Sequence, residues 1–214
     1  MKKILFIFQF LMVGLSSLTP QTRVYVDLQN NSLISIKGTS NLLSFKLSQS
    51  GESLSRKDFI ILATQNQNKI YLSNNLHSIS VRNFTSNNKM ALRDFLKLVK
   101  SDIYPSFQIQ LNYIETTPNA DKKENLKGNV SVNITITGVT KPYIIPVSSE
   151  INDDTYKIIG KKKLNIRDFG LTPPVEMMGL IKVNEWIEID FNIICKISTT
   201  KPLQKNETAN STKS

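Results

Sequence analysis

Cysteine and histidine are almost missing from this 214-residue chain, which has one of each. A single cysteine, Cys195, excludes an intramolecular disulfide. It falls on the phase of Ile187, Ile189, Phe191, Ile193 and Ile197 in an alternating run. That phase marks a small buried apolar residue, not a nucleophile. A single histidine, His77, leaves zinc and haem without a ligand set. A Ser/His/Asp triad would have to use His77, and no nucleophile-elbow pattern accompanies it. The carboxylates are scattered and form no acid/base constellation. The expectation is a chain with no catalytic residue, no metal and no cofactor, hence not an enzyme. Long apolar runs are lacking after Leu15, so no later segment is suited to cross a bilayer. Internal repeats are lacking as well.

The N-terminus is different. Lys2-Lys3 is a short basic stretch, and Ile4 to Leu15 is an apolar run broken only by Gln9 and Gly14. Gly14-Leu15-Ser16 then offers small residues before Ser17. Residues 1–16 read as a secretory signal, with no cysteine nearby to carry a lipid anchor. The expected destination is the periplasm or the outside of the cell. Residues 17–197 are long enough for one domain with a substantial core. Residues 198–214 are nearly all polar and read as a disordered tail.

The net charge of +10 falls to +8 when Lys2 and Lys3 leave with the signal. A positive excess draws anionic partners such as phosphate head groups or membrane surfaces. The positives are scattered, and export argues against nucleic acid. The densest cluster, Lys161-Lys162-Lys163 beside Gly160, reads as a solvated turn.

The strongest positive signal is strict alternation. In Val130–Thr137 every second residue is aliphatic and the others are Ser, Asn or Thr. Such strands have one apolar and one wet face. Strands are expected at 106–116, 126–137, 141–151, 156–167 and 180–197, after shorter ones at 23–28, 33–37, 42–47, 57–63, 69–72 and 76–82. One helix interrupts them. Asn87-Asn88 can cap it, Met90, Leu92, Phe95, Leu96, Leu98 and Val99 give it an apolar stripe, and Pro105 is expected to stop it. Within an all-β chain, that stripe must pack on the sheet, most simply across one open end.

Four stretches together resemble the YceI-like family of exported, lipocalin-like, polyisoprenoid-binding proteins. They are Ile34 to Asn41 with Phe45; Met90 to Lys100 followed by Tyr104-Pro105-Ser106-Phe107; Gly128 to Pro146 with Gly138-Val139-Thr140-Lys141 in register; and Asp168-Phe169-Gly170-Leu171 with Ile181 to Ile193. The resemblance implies an all-β fold, an extended eight-stranded antiparallel lipocalin-like β-barrel with the helix at one end. It also implies an elongated apolar pore that holds an isoprenoid tail, as of an isoprenoid quinone, a polyprenyl phosphate or a similar long-chain lipid. Burying about fifteen methylene equivalents would contribute about 12 kcal/mol gross. Association costs on the order of 4–15 kcal/mol and offsets much of that.

The inward phase should then include Phe107, Ile109, Leu111, Val132, Ile134, Ile136, Ile187, Ile189 and Phe191. Phe45, Phe169, Met177 and Met178 are expected at a pore end. Gly38, Gly138, Gly170 and Pro105 read as backbone devices for turns, bulges and strand starts. Alternation alone leaves open a barrel filled by its own side chains, which would make the chain a structural or interaction protein of the envelope. Peripheral membrane contact and a homodimer are both compatible with the sequence.

Overall fold

The computed structural model describes residues 20–53, 58–117 and 125–199. The segment 1–16, the tail beyond residue 199 and most of the polar loop 117–125 lie outside these residues. β1 (Thr22–Leu28), β2 (Leu33–Thr39), β3 (Ser44–Ser50), β4 (Asp58–Asn66), β5 (Lys69–Ser73) and β6 (Leu76–Ser80) are short, and α1 (Lys89–Leu98) follows them. β7 (Ser106–Thr117), β8 (Asn125–Ile136), β9 (Val139–Asn152) and β10 (Thr155–Asn165) are long. A small hairpin of β11 (Val175–Glu176) and β12 (Ile181–Lys182) precedes β13 (Trp186–Ser198).

The strands pair antiparallel in the order β1, β4, β5, β7, β8, β9, β10, β13, and β13 returns to β1 from Tyr25↔Ser198 to Leu28↔Cys195. Eight strands thus close a barrel, with β9 and β10 unpaired beyond Gly160↔Val147 and the outer edge of β3 bridged at Ser48↔Thr85. The short strands are halves of long ones. β1 and β2 lie end to end along β13, which pairs Leu28 with Cys195 and Leu33 with Asn192. At the break, the Ser32 hydroxyl donates to the Ile194 carbonyl at 3.0 Å and accepts its N–H at 2.9 Å. β5 and β6 lie end to end along β7 in the same way. There the buried Asn75 amide donates to the Leu111 carbonyl at 2.9 Å and accepts its N–H at 2.6 Å. Side chains thereby satisfy backbone groups that the breaks leave unpaired.

The two ends of the barrel are unlike. One carries the tight turns 67–68 and 153–154. The other carries the two-residue hairpin Thr137-Gly138, both residues at positive φ as a type I′ turn requires, and the long connections 40–43, 81–105 and 166–185. α1 lies at this second end. Its N-terminus is capped by Asn88, whose side chain accepts the Ala91 N–H at 3.0 Å. Its end comes before Pro105 can act. Lys100 enters the left-handed region at φ 49°, Ser101 N–H donates to the Leu96 carbonyl at 3.0 Å, and Lys100 N–H to that of Lys97 at 3.1 Å. This is a Schellman cap with lysine where glycine is usual.

Two further expectations change. The run 180–197 is not one strand. Asn184 accepts the Trp186 N–H at 2.9 Å and turns the chain, so β13 starts at Trp186 while 181–182 pair with 175–176. Lys161-Lys162-Lys163 is no turn but lies inside β10, opposite Asp190, Ile189 and Glu188. Among the described residues no helix is long and apolar enough to cross a membrane.

Candidate ligand-binding lumen

The inner faces of the long strands enclose a cavity of about 380 Å³ with an almost wholly hydrocarbon wall. That volume lies in the range of small-molecule sites. Phe107, Ile109 and Leu111 of β7 and Val132, Ile134 and Ile136 of β8 form one side. Ile187, Ile189 and Phe191 of β13 and Phe45 of β3 form another. Along β8 the wall runs from Val130 to Ile136, roughly 20 Å of strand. The end away from α1 is plugged by Val26, Ile61 and Cys195, with Phe59, Leu72 and Tyr156 packed around them. The cavity meets solvent at the α1 end, between exposed Leu43 and Met90.

Two aromatic rings keep the lumen open by lying against its wall. Phe191 is paired across the sheet with Gly160, and Phe45 with Gly38. A Cβ added at Gly160 would come within 2.5 Å of Phe191 Cζ, and one at Gly38 would also strike the ring of Phe45. Gly38 is therefore a seat for a ring inside β2, not a turn device. Gly138 and Gly170, at φ 80° and 71°, do serve turns.

Two of the three remaining expected pore residues do not line the cavity. Phe169 is buried, but in the packed cluster of Leu164, Ile166 and Leu171, with its ring 6.2 Å from that of Tyr143 and off the cavity wall. The 3₁₀ turn Ile166–Phe169 folds it back over the seam between β9 and β10. Met178 is fully exposed at the tip of the β11–β12 hairpin, at φ 57°. The side chain of Met177 lies outside the described residues.

The wall also holds residues that alternation alone did not reveal. β7 carries a bulge between Leu111 and Tyr113, so Ile114 rather than Tyr113 faces the lumen. The bulged Asn112 pairs its amide with that of Asn133 at 3.2 and 3.3 Å. Phe95 and Leu98 of α1 complete the roof. Lys162 is on the inward phase of β10. It is accommodated because β9 and β10 stop pairing beyond Gly160↔Val147. Its stem lines the cavity while Nζ reaches the Ile144 carbonyl at 3.1 Å and lies 5.8 Å from the Tyr143 ring centroid.

Polar groups are confined mainly to the mouth, where Ser40, Asn88, Asp94 and Asn184 face the opening. Asp94 is paired with Arg93 at 3.0 Å. His77 is half-buried, with its ring 4.3 Å from that of Phe59. Burial pushes the Cys195 thiol up to about 11, with the Asp27 carboxylate adding to it. No group of three or more metal-ligating side chains occurs among the described residues.

The barrel has known counterparts. The crystal structure of Burkholderia cenocepacia BcnA aligns with TM-score 0.55 at 17% identity, covering 76% of this chain and 95% of that one. A polyisoprenoid binding domain from Saccharophagus degradans, implicated in plant cell wall breakdown, aligns with TM-score 0.52 at 8% identity, covering 81% and 98%. Both share the fold. No curated protein sequence matches the chain. The sequence profile of the YceI-like domain matches residues 28–195, nearly the whole barrel, and the chain belongs to the YceI-like family.

Proposed function

We propose that this protein binds the tail of an isoprenoid or other long-chain lipid in the barrel lumen, without catalysis, in the cell envelope. The observation that carries this reading is the lumen itself. It is elongated, apolar along most of its depth, plugged at one end and polar mainly near its mouth. A hydrocarbon tail gains about 0.8 kcal/mol for each buried CH₂ in such a space, while a head group stays with Ser40, Asn88 and Asn184. The described polyisoprenoid binding domain of the same fold supports the ligand class. Isoprenoid quinones and polyprenyl phosphates are the candidate ligands. The basic and apolar N-terminus supports export.

The test is native mass spectrometry of protein purified without detergent from its own envelope, followed by lipid extraction. A bound polyprenyl or quinone mass is expected. A lumen that stays empty when offered quinones and fatty acids would overturn the reading in favour of an interaction protein.

A further inference from the structure

The mouth of the lumen is ringed by hydrocarbon that faces solvent. Leu42 and Leu43 are 64% and 63% exposed, and Val175, Met178 and Leu180 are 58%, 107% and 68% exposed. The two segments form one surface. The Asn41 amide donates to the Leu180 carbonyl at 2.8 Å and accepts the Lys182 N–H at 2.9 Å, and Ser40 bridges to Val183. Leu43, Ile181 and Val183 line the cavity directly, so the exposed patch is continuous with the lumen wall.

The hairpin tip makes the point sharper. Met178 occupies the left-handed region, which disfavours every residue with a Cβ and is usually left to Gly or Asn. Its side chain packs on nothing within the fold. Folding alone gives no reason for a large apolar side chain there.

Cations surround the patch. Lys182 lies on the hairpin and Lys89 beside Met90 at the start of α1, both exposed. On the outer wall below the mouth, half-exposed Trp186 carries Lys163 Nζ 5.4 Å from its ring centroid, and Lys46 lines the same shallow hollow. Of the acidic side chains at this end, Asp94, Asp102 and Glu185 are held by Arg93, Arg82 and Arg167, Asp168 accepts from the Tyr143 hydroxyl, and Glu188 in the hollow is paired with Lys37. An apolar tip, flanking lysines and a tryptophan set back from it match the layers of an anionic bilayer: acyl chains, phosphates and the interface between them. A protein partner would have no need of that layering around the mouth of a hydrocarbon-lined cavity.

We propose that this end of the barrel docks on an anionic lipid bilayer. Leu42, Leu43, Val175, Met178 and Leu180 enter the acyl boundary, while Lys46, Lys89, Lys163 and Lys182 meet the phosphates. The purpose assigned to docking, loading of the lumen from the bilayer, rests on the lipid-binding function proposed above.

Trp186 is the only tryptophan of the chain and so reports directly. Vesicles of phosphatidylglycerol and phosphatidylethanolamine should shift its emission to the blue and sediment the protein, and high salt should weaken both effects. Phosphatidylcholine vesicles should do neither. The triple variant L42S/M178S/L180S changes side chains that do not line the cavity, and should bind anionic vesicles at least about tenfold more weakly while folding normally. Its loading with a fluorescent isoprenoid lipid from detergent should match the wild type. A wild type that ignores anionic vesicles overturns the proposal. So does a triple variant that still binds them, or a wild-type dimer that the triple variant dissolves. If vesicles bind while no lipid ever loads from detergent, docking stands and the lumen function fails.

Discussion

The ring of Phe191 lies over Gly160, its cross-strand partner, and closes the space where a Cβ would stand. The ring is therefore part of the wall rather than an obstacle in the lumen. Gly160→Val should drive it inward and narrow the cavity. The ring is a movable side-chain end, so the barrel should still fold. We expect tail binding to weaken by about tenfold or more, which is about 1.4 kcal/mol. Titration with a fluorescent lipid, alongside a thermal melt, checks it. Unchanged affinity would show that the ring does not border the occupied space.

Ile134 is buried on the lumen wall, and Thr135 faces outward with its hydroxyl 2.8 Å from that of Thr140. Ile134→Arg should abolish tail binding by placing an unpaired charge in hydrocarbon. Thr135→Arg should leave affinity within about twofold and lower stability by about 1 kcal/mol for the lost hydrogen bond. Lipid titration with circular dichroism as a folding control separates them. Equal behaviour would mean the inward phase is misassigned.

Lys162 offers a subtler contrast. Lys162→Met keeps the stem on the wall and removes the bond to the Ile144 carbonyl, so it should cost about 1 kcal/mol of stability and little affinity. Lys162→Asp cannot reach that carbonyl and would leave a short, unpaired carboxylate on the hydrocarbon wall. It should lower affinity by more than about tenfold. Chemical denaturation and lipid titration of both variants decide.

Cys195 sets an alkaline limit. Its thiol is held to about 11 in the fold against 9.0 for the free group. Between those values the unfolded chain gives up the proton and the folded chain retains it. Stability should therefore be intact below pH 9 and fall as pH rises toward 11, by on the order of 3 kcal/mol. Urea titrations across that window should show a shallower decline for Cys195→Ala than for the wild type.

The long strands were legible because they are buried on one side only: in Val130–Ile136 each aliphatic residue is followed by a polar one, and the barrel places them inside and outside as the period requires. The Asn88 cap and the turn at Gly138 were legible because their chemistry is local. What stayed hidden depends on residues far apart in the chain. Asn112 continues the polar phase, and the switch of phase at Ile114 is placed as a bulge at Asn112 only by the pairing of β7 with β8. Gly38 and Gly160 look like turn residues until the rings opposite them are seen. Lys162 looks solvated until β9 and β10 part beside it. Pro105 looks like the end of α1, but the backbone of Lys100 and Ser101 had already closed the helix.

The cluster of Val26, Ile61 and Cys195 has one more consequence. With the far end stoppered and the seam between β9 and β10 covered by Leu164, Ile166 and Phe169, a guest has to leave through the door by which it came. Such a vessel is a bucket and not a pipe. A molecule bulky at both ends is shut out, and any handover must be made by turning the same face first to the donor and then to the recipient.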